Sequence, residues 1–98
     1  DIHKASQEAG DLAWPMPLYQ KYRSSFNSNF ADLINSPDGF GGAVTAALFL
    51  EKFSGDVPWA HLDIYAWKDS ADGAWLESGG SGQSVMCLAE WLTRSGKR

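Results

Sequence analysis

The sequence predicts part of a larger α/β domain. Three observations lead there. A strand-like run, a greasy helix and a second strand-like run follow one another, the order of a parallel βαβ unit. Only those two strands are apparent, and two parallel strands cannot cover their own faces and edges. The helix between them, AVTAALFL, is apolar on nearly every side, so it needs material both above and below it.

The elements follow in order. Asp1 to Ala9 is polar and free of breakers, and reads as the tail of a helix stopped by Gly10. Pro15 and Pro17 then force an extended segment. Leu18 to Phe26 restarts a helix, with Leu18, Tyr22 and Phe26 as its apolar stripe. Phe30 to Ile34 reads as a short strand, and Ser36 to Gly42 as a turn-rich loop. Ala43 to Phe53 is the buried helix, closed by Ser54-Gly55-Asp56. Trp59 to Trp67 reads as a strand covered on both faces, because its apolar residues do not alternate. Lys68 to Gly82 is a glycine-rich loop. Gln83 to Arg94 is an amphipathic helix with Val85, Leu88, Ala89 and Leu92 on one face, and basic Lys97 and Arg98 suit its C-terminal end.

Composition narrows the function. The 98 residues carry 12 acidic against 8 basic side chains, a net charge of −4, with no basic stripe, which argues against a nucleic-acid partner. Five tryptophans argue for an ordered core. The single cysteine, Cys87, makes no internal disulfide and gives no sign of an oxidising compartment. No apolar run reaches the roughly 20 residues of a membrane span. The chain opens on Asp1 instead of Met and lacks a signal-peptide pattern, which suggests a piece of a longer chain or a processed one.

Candidate chemistry is sparse. His61 and Asp63 in VPWAHLDIYAWKDS share one face if the run is a strand, which suits two ligands of one metal. A site needs a third ligand, and no His-Glu-x-x-His or Cys-x-x-Cys pattern supplies one. The alternative is that the pair hydrogen-bonds backbone at the strand's end. Cys87 reads as a small core hydrophobe. Gly79 to Gly82 precedes a helix N-terminus, a place for an anion, or is a plain surface connection. Asp69, Asp72 and Glu77 read as solvated loop charge. Trp59, Trp67 and Trp75 line a pocket or fill a core. The residues alone offer no complete active site.

Several stretches together resemble the leucyl (cytosol) aminopeptidase family. Trp59-Ala60-His61-Leu62-Asp63-Ile64 is similar to its Pro-Trp-x-His-x-Asp-Ile run. Gly10-Asp11 with Trp14 to Leu18 is similar to Gly-Asp-x-x-Trp-x-x-Pro-Leu. Ala31-Asp32-Leu33 is similar to the start of an Ala-Asp-x-x-Asn strand. Gly42-Ala43, Thr45-Ala46-Ala47 and Phe49-Leu50 are similar to Gly-Ala-x-Thr-Ala-Ala-x-Phe-Leu. The resemblance covers nearly the whole chain, in order.

It implies that residues 1–98 are the C-terminal segment of an aminopeptidase catalytic domain, a fragment of an α/β/α sandwich with a mixed, partly parallel sheet. It also implies a hexameric, cytoplasmic enzyme that uses two divalent metal ions, Mn or Zn, to release N-terminal residues from peptides. The family's metal ligands and catalytic groups would lie upstream of Asp1, so no metal is expected to bind this segment. His61 and Asp63 match positions the family does not use as ligands. Substrate-pocket roles carry over to Tyr65 and Ala66, after the Asp-Ile pair, and to Asn35 in the loop before the buried helix. The commoner Asp-Ile-Ala-Gly-Thr-Ala-Trp is shortened here to Asp63-Ile64-Tyr65-Ala66-Trp67, which alters the pocket wall. The expected partners are the upstream part of the domain, further copies of the chain and a peptide substrate. The alternative is a non-catalytic, truncated relative that associates with itself or a partner. A third reading is a small hydrolase using His61 with Asp63.

Overall fold

A computed structural model describes residues 1–74 and 76–96; Trp75, Lys97 and Arg98, and the expectations placed on them, lie outside the described residues. The chain divides into two units, Asp1–Pro15 with Leu62–Arg98, and Met16–His61.

The first unit pairs helix α1, Ile2–Ala9, with helix α3, Val85–Ser95. Asp1 starts α1 by accepting the Lys4 amide at 3.0 Å, and Gly10 ends it at φ 68° in the left-handed region, as its place in sequence predicts. The contact face is made of small residues. Ala5, Ser6 and Cys87 are all buried, which lets the two backbones approach closely. Ser6 Oγ donates to the His3 carbonyl at 2.7 Å and accepts the Ala13 amide at 3.3 Å, so the buried hydroxyl is satisfied. Arg94 joins the outer edges, pairing with Glu8 of α1 and Glu90 of its own helix, both at 2.5 Å.

The buried face of α3 differs from the expected one. Cys87 is buried with Leu88 and Trp91 half-buried, while Val85 and Leu92 are 60% exposed. The helix carries two adjacent apolar stripes. The one containing the small Cys87 side chain is the one that fits against Ala5 and Ser6 of α1.

Between Leu62 and α3 the chain forms one short antiparallel ribbon. Strand β1, Trp67–Lys68, pairs with β2, Gly79–Gly80, with Trp67 opposite Gly80. Most of the expected Trp59–Trp67 strand is therefore irregular chain without a ladder, and no parallel pair forms among the described residues. A strand exists only where another backbone answers its N–H and C=O groups. Here the answer comes from the glycine-rich stretch that the sequence suggests is loop.

The second unit is built on helix α2, Gly42–Glu51. Gly41, at φ 85°, turns the chain into it, and a Cβ at that position would stand 3.3 Å from the Tyr22 ring. Val44 and Leu48 of α2 close a small core with Phe26, flanked by Leu33 and Phe49. The Phe26 and Phe49 rings meet edge to face at 5.8 Å. Arg23 forms an ion pair with Glu51.

Two expectations change in this unit. The Leu18–Phe26 helix is a 3₁₀ helix spanning Gln20–Phe26. Ser24 and Ser25 hydroxyls donate to the carbonyls three residues back, at 3.0 and 2.7 Å, and engage acceptors there. Leu18 lies before this helix, and three residues per turn takes Tyr22 and Phe26 out of line, so of the three only Phe26 is buried. The Phe30–Ile34 strand is replaced by a bent segment. Ser28 Oγ accepts the amides of Phe30 and Ala31 at 3.2 and 3.0 Å, and the Ile34 amide donates to the Phe26 carbonyl.

The helix α2 is covered on one side only. Leu50 and Phe53 are 48% and 69% exposed, and Phe40 in the preceding loop is fully exposed. The sequence calls for material on both sides of this helix, and among the described residues one side carries none. No described helix is long and apolar enough to cross a membrane.

Candidate functional site

The Met16–His61 unit holds a cavity of about 270 Å³ between the 35–42 loop and the open side of α2. Phe26, Pro37, Phe40, Phe49 and Leu50 give it apolar walls, and Asn35 brings an amide to its edge. Gly39 and Gly41 take the loop through positive φ, and Gly42 opens the helix. Such a pocket suits an apolar side chain with one polar group beside it. Asn35, expected from the sequence to touch substrate, lines it.

Tyr65 and Ala66, the other two expected contacts, belong to the Asp1–Pro15 and Leu62–Arg98 unit. Tyr65 is 75% exposed. Ala66 stands at φ 55°, a left-handed conformation uncommon for a residue with a Cβ. Both of its backbone groups are held from one stretch. Its amide donates to Gln83 Oε1 at 3.3 Å, and its carbonyl accepts the Ser81 amide at 2.9 Å, extending the β1–β2 ladder. Gln83 was not singled out by sequence reasoning. Its only signal is a polar side chain next to a helix start.

Asp11 was missed as well. Its carboxylate accepts the Ser84 amide at 3.1 Å and the Cys87 amide at 3.2 Å. Those are the N-cap and N3 amides of α3, so one remote carboxylate performs both halves of a capping box. The N-cap residue Ser84 makes no side-chain bond of its own. This settles the anion reading of the glycine-rich loop: the anion at α3 is the chain's own Asp11.

Cys87 behaves as a buried hydrophobe. Its thiol donates to the Ile2 carbonyl at 3.5 Å. Burial first, and the Asp11 carboxylate second, push its pKa up, which suppresses the thiolate. His61 is half-buried with Nε2 unpartnered among the described residues, and Asp63 is exposed. Among the described residues neither side chain makes the backbone hydrogen bond expected of it. Asp69 and Glu77 are exposed, and Asp72 pairs with Lys68 at 3.2 Å. Trp59 is half-buried and Trp67 half-exposed.

Among the described residues no three His, Cys, Asp or Glu side chains converge to hold a metal ion. Several carboxylates are committed elsewhere, Asp11 to helix amides, Glu8 and Glu90 to Arg94, and Glu51 to Arg23. These residues do not fit a pair of divalent ions. Among the described residues, the arrangement offers a binding surface.

Comparison with known proteins gives a consistent picture. The model of the cytosol aminopeptidase family, catalytic domain, matches residues 1–89. The probable cytosol aminopeptidase of Roseiflexus castenholzii is 45% identical over 91 residues, 91% of this chain and 19% of its own length. That of Burkholderia thailandensis is 48% identical over 94 residues, 94% of this chain and 18% of its own length. The 1.8 Å crystal structure of cytosol aminopeptidase from Coxiella burnetii superposes with a TM-score of 0.85 at 39% identity, over 95% of this chain and 21% of that one. The chain thus spans about a fifth of the length of the relatives it matches.

Proposed function

Because the chain belongs to the cytosol aminopeptidase family, we propose that it is the C-terminal part of the catalytic domain of a metal-dependent aminopeptidase. That enzyme releases N-terminal residues from peptides in the cytoplasm, as a hexamer. The observation that carries this reading is the match over 95% of this chain to only 21% of a cytosol aminopeptidase chain. In this reading the segment supplies scaffold and substrate-pocket wall. The two divalent ions, which would polarise the scissile carbonyl and activate water, belong to side chains outside residues 1–98. The open side of α2 and the unladdered Trp59–Ala66 stretch are where the upstream part completes an α/β/α sandwich and its mixed sheet.

The chain's own residues bind and orient. Asn35 presents an amide, and the walls of Phe40, Phe49 and Leu50 accept an apolar group. For Tyr65 and Ala66, which belong to the other unit, a role toward the substrate's first side chain is supported by the resemblance of Asp63-Ile64-Tyr65-Ala66-Trp67 to the family's stretch. The test compares the full-length protein with residues 1–98 alone, on leucine amide with Mn²⁺ or Zn²⁺ added. Full-length protein hydrolyses the amide and the segment does not. Turnover by the segment alone would overturn the assignment.

One observation favours a second reading, a non-catalytic module that associates with itself. Phe30 and Phe40 are fully exposed, and Trp14 and Leu76 are 90% exposed, large apolar side chains that self-association would cover. Sedimentation of the segment alone separates the two: a discrete oligomer supports the module, a poorly soluble or unfolded chain supports the fragment.

A further inference from the structure

We propose that Gln83 is a positioning residue that sets how Tyr65 is presented, and through it the preference for the substrate's N-terminal side chain. The inference rests on the reading of Tyr65 as pocket wall. Its own grounds are geometric. Ala66 holds a left-handed φ of 55° without being glycine. Such a conformation persists only where surrounding bonds impose it. Two bonds do so here, Ser81 N–H to the Ala66 carbonyl at 2.9 Å and the Ala66 N–H to Gln83 Oε1 at 3.3 Å.

The two bonds differ in kind. The Ser81 bond continues the β1–β2 ladder and follows from the Trp67–Gly80 register. The Gln83 bond is made by a side chain, so it alone can be removed without touching the backbone. A ladder hydrogen bond fixes Ala66 from one side. The amide of Ala66 is the peptide group that joins it to Tyr65, so the acceptor on that amide orients the plane from which the Tyr65 side chain departs. Tyr65 itself makes no hydrogen bond among the described residues and is 75% exposed, so its direction is set by its backbone. Without Gln83 Oε1, the Tyr65–Ala66 peptide can rotate toward an unstrained conformation and carry the ring with it.

The experiment uses the full-length protein and aminoacyl amides with leucine, alanine and phenylalanine side chains. Gln83→Met keeps the side chain's length and removes the acceptor, while Gln83→Glu keeps an acceptor. Gln83 is exposed, so neither substitution opens the core. The expected result is a change of about two- to tenfold in the ratio of kcat/KM between leucine and alanine substrates for Gln83→Met, the fold-change of one net hydrogen bond. Gln83→Glu retains the wild-type ratio. In a Tyr65→Ala background, Gln83→Met changes the ratio no further.

An equal loss for all three substrates overturns the proposal and leaves Gln83 a structural residue. If Tyr65→Ala shifts the ratio but Gln83→Met does not, the positioning role fails and the pocket reading stands. If Tyr65→Ala itself leaves the ratio unchanged, the pocket reading fails and the proposal with it.

Discussion

Replacing Asp11 with alanine should open the start of α3. The carboxylate accepts two amides, Ser84 at 3.1 Å and Cys87 at 3.2 Å, in a half-buried setting. Losing an N-cap side chain costs about 0.5–2 kcal/mol, and a hydrogen bond to a charged group is worth about 1.5–3 kcal/mol. Two such bonds, discounted for partial exposure, give a loss of about 2 kcal/mol, or about 30-fold in the local opening equilibrium. Asp11→Asn keeps one acceptor oxygen and should lose about half as much. The assay is amide hydrogen exchange on the full-length protein, read at Ser84 and Cys87. The Cys87 amide is decisive because no turn of α3 precedes it to provide a carbonyl, so Asp11 is its protection. Unchanged protection at Cys87 in Asp11→Ala would refute the remote-cap argument, whatever happens to the melting temperature.

Leu48→Ala should cost about 3 kcal/mol, because Leu48 is completely buried between Phe26 and Val44; urea unfolding measures it. Leu50→Ala, on the open side of α2, should cost less than half of that when residues 1–98 are studied alone, and a comparable loss would mean that this face is already covered. Cys87 makes stability fall at alkaline pH. Its folded pKa lies above its unfolded value, raised by burial first and by the Asp11 carboxylate second. The folded state then holds the proton longer, so this contribution is fully present below the unfolded pKa and fades as pH rises through the folded one. Cys87→Ala should flatten the alkaline limb of a stability-against-pH curve, and a limb of unchanged slope would exclude the thiol as its source. The same burial predicts that Cys87 reacts with a thiol reagent only as fast as α1 and α3 separate, which labelling rates in increasing urea would reveal.

How much was legible in the sequence depended on the range of the interaction. The end of helix α1 was readable because Gly10 stops it locally, whereas its start was not, since Asp1 reads as part of a helix tail and is its N-cap. Helix α2 was readable from its unbroken apolar run. The strands were not, because Phe30–Ile34 and Trp59–Trp67 carry strand-like residues while a ladder requires a partner that local pattern does not reveal. Ser28 shows the opposite failure, a local hydroxyl that satisfies two amides and bends the chain. The buried stripe of α3 was missed because its choice lies with α1, some eighty residues away. In the site, Asn35, Tyr65 and Ala66 came from resemblance, not from periodicity or charge. Of these, Asn35 sits at a cavity, and the ones that sequence missed, Gln83 and Asp11, act on residues 17 and more than 70 positions distant.

The bonds from Asp11 to α3 have a consequence in time. They span 73 and 76 positions, whereas the core of the second unit joins Phe26 to Leu48 within a short loop. Closing a contact across so many residues is slow compared with a local one. On a ribosome adding about 5–20 residues per second, Asp11, Ala5 and Ser6 wait roughly 4–15 s for Ser84 and Cys87 to be made. During that wait α1 displays the face it will bury, while Phe26, Val44 and Leu48 can already meet. The order of assembly written into this chain is therefore middle first and flanks last, and the exposed face of α1 is the surface a chaperone would meet in the nascent chain.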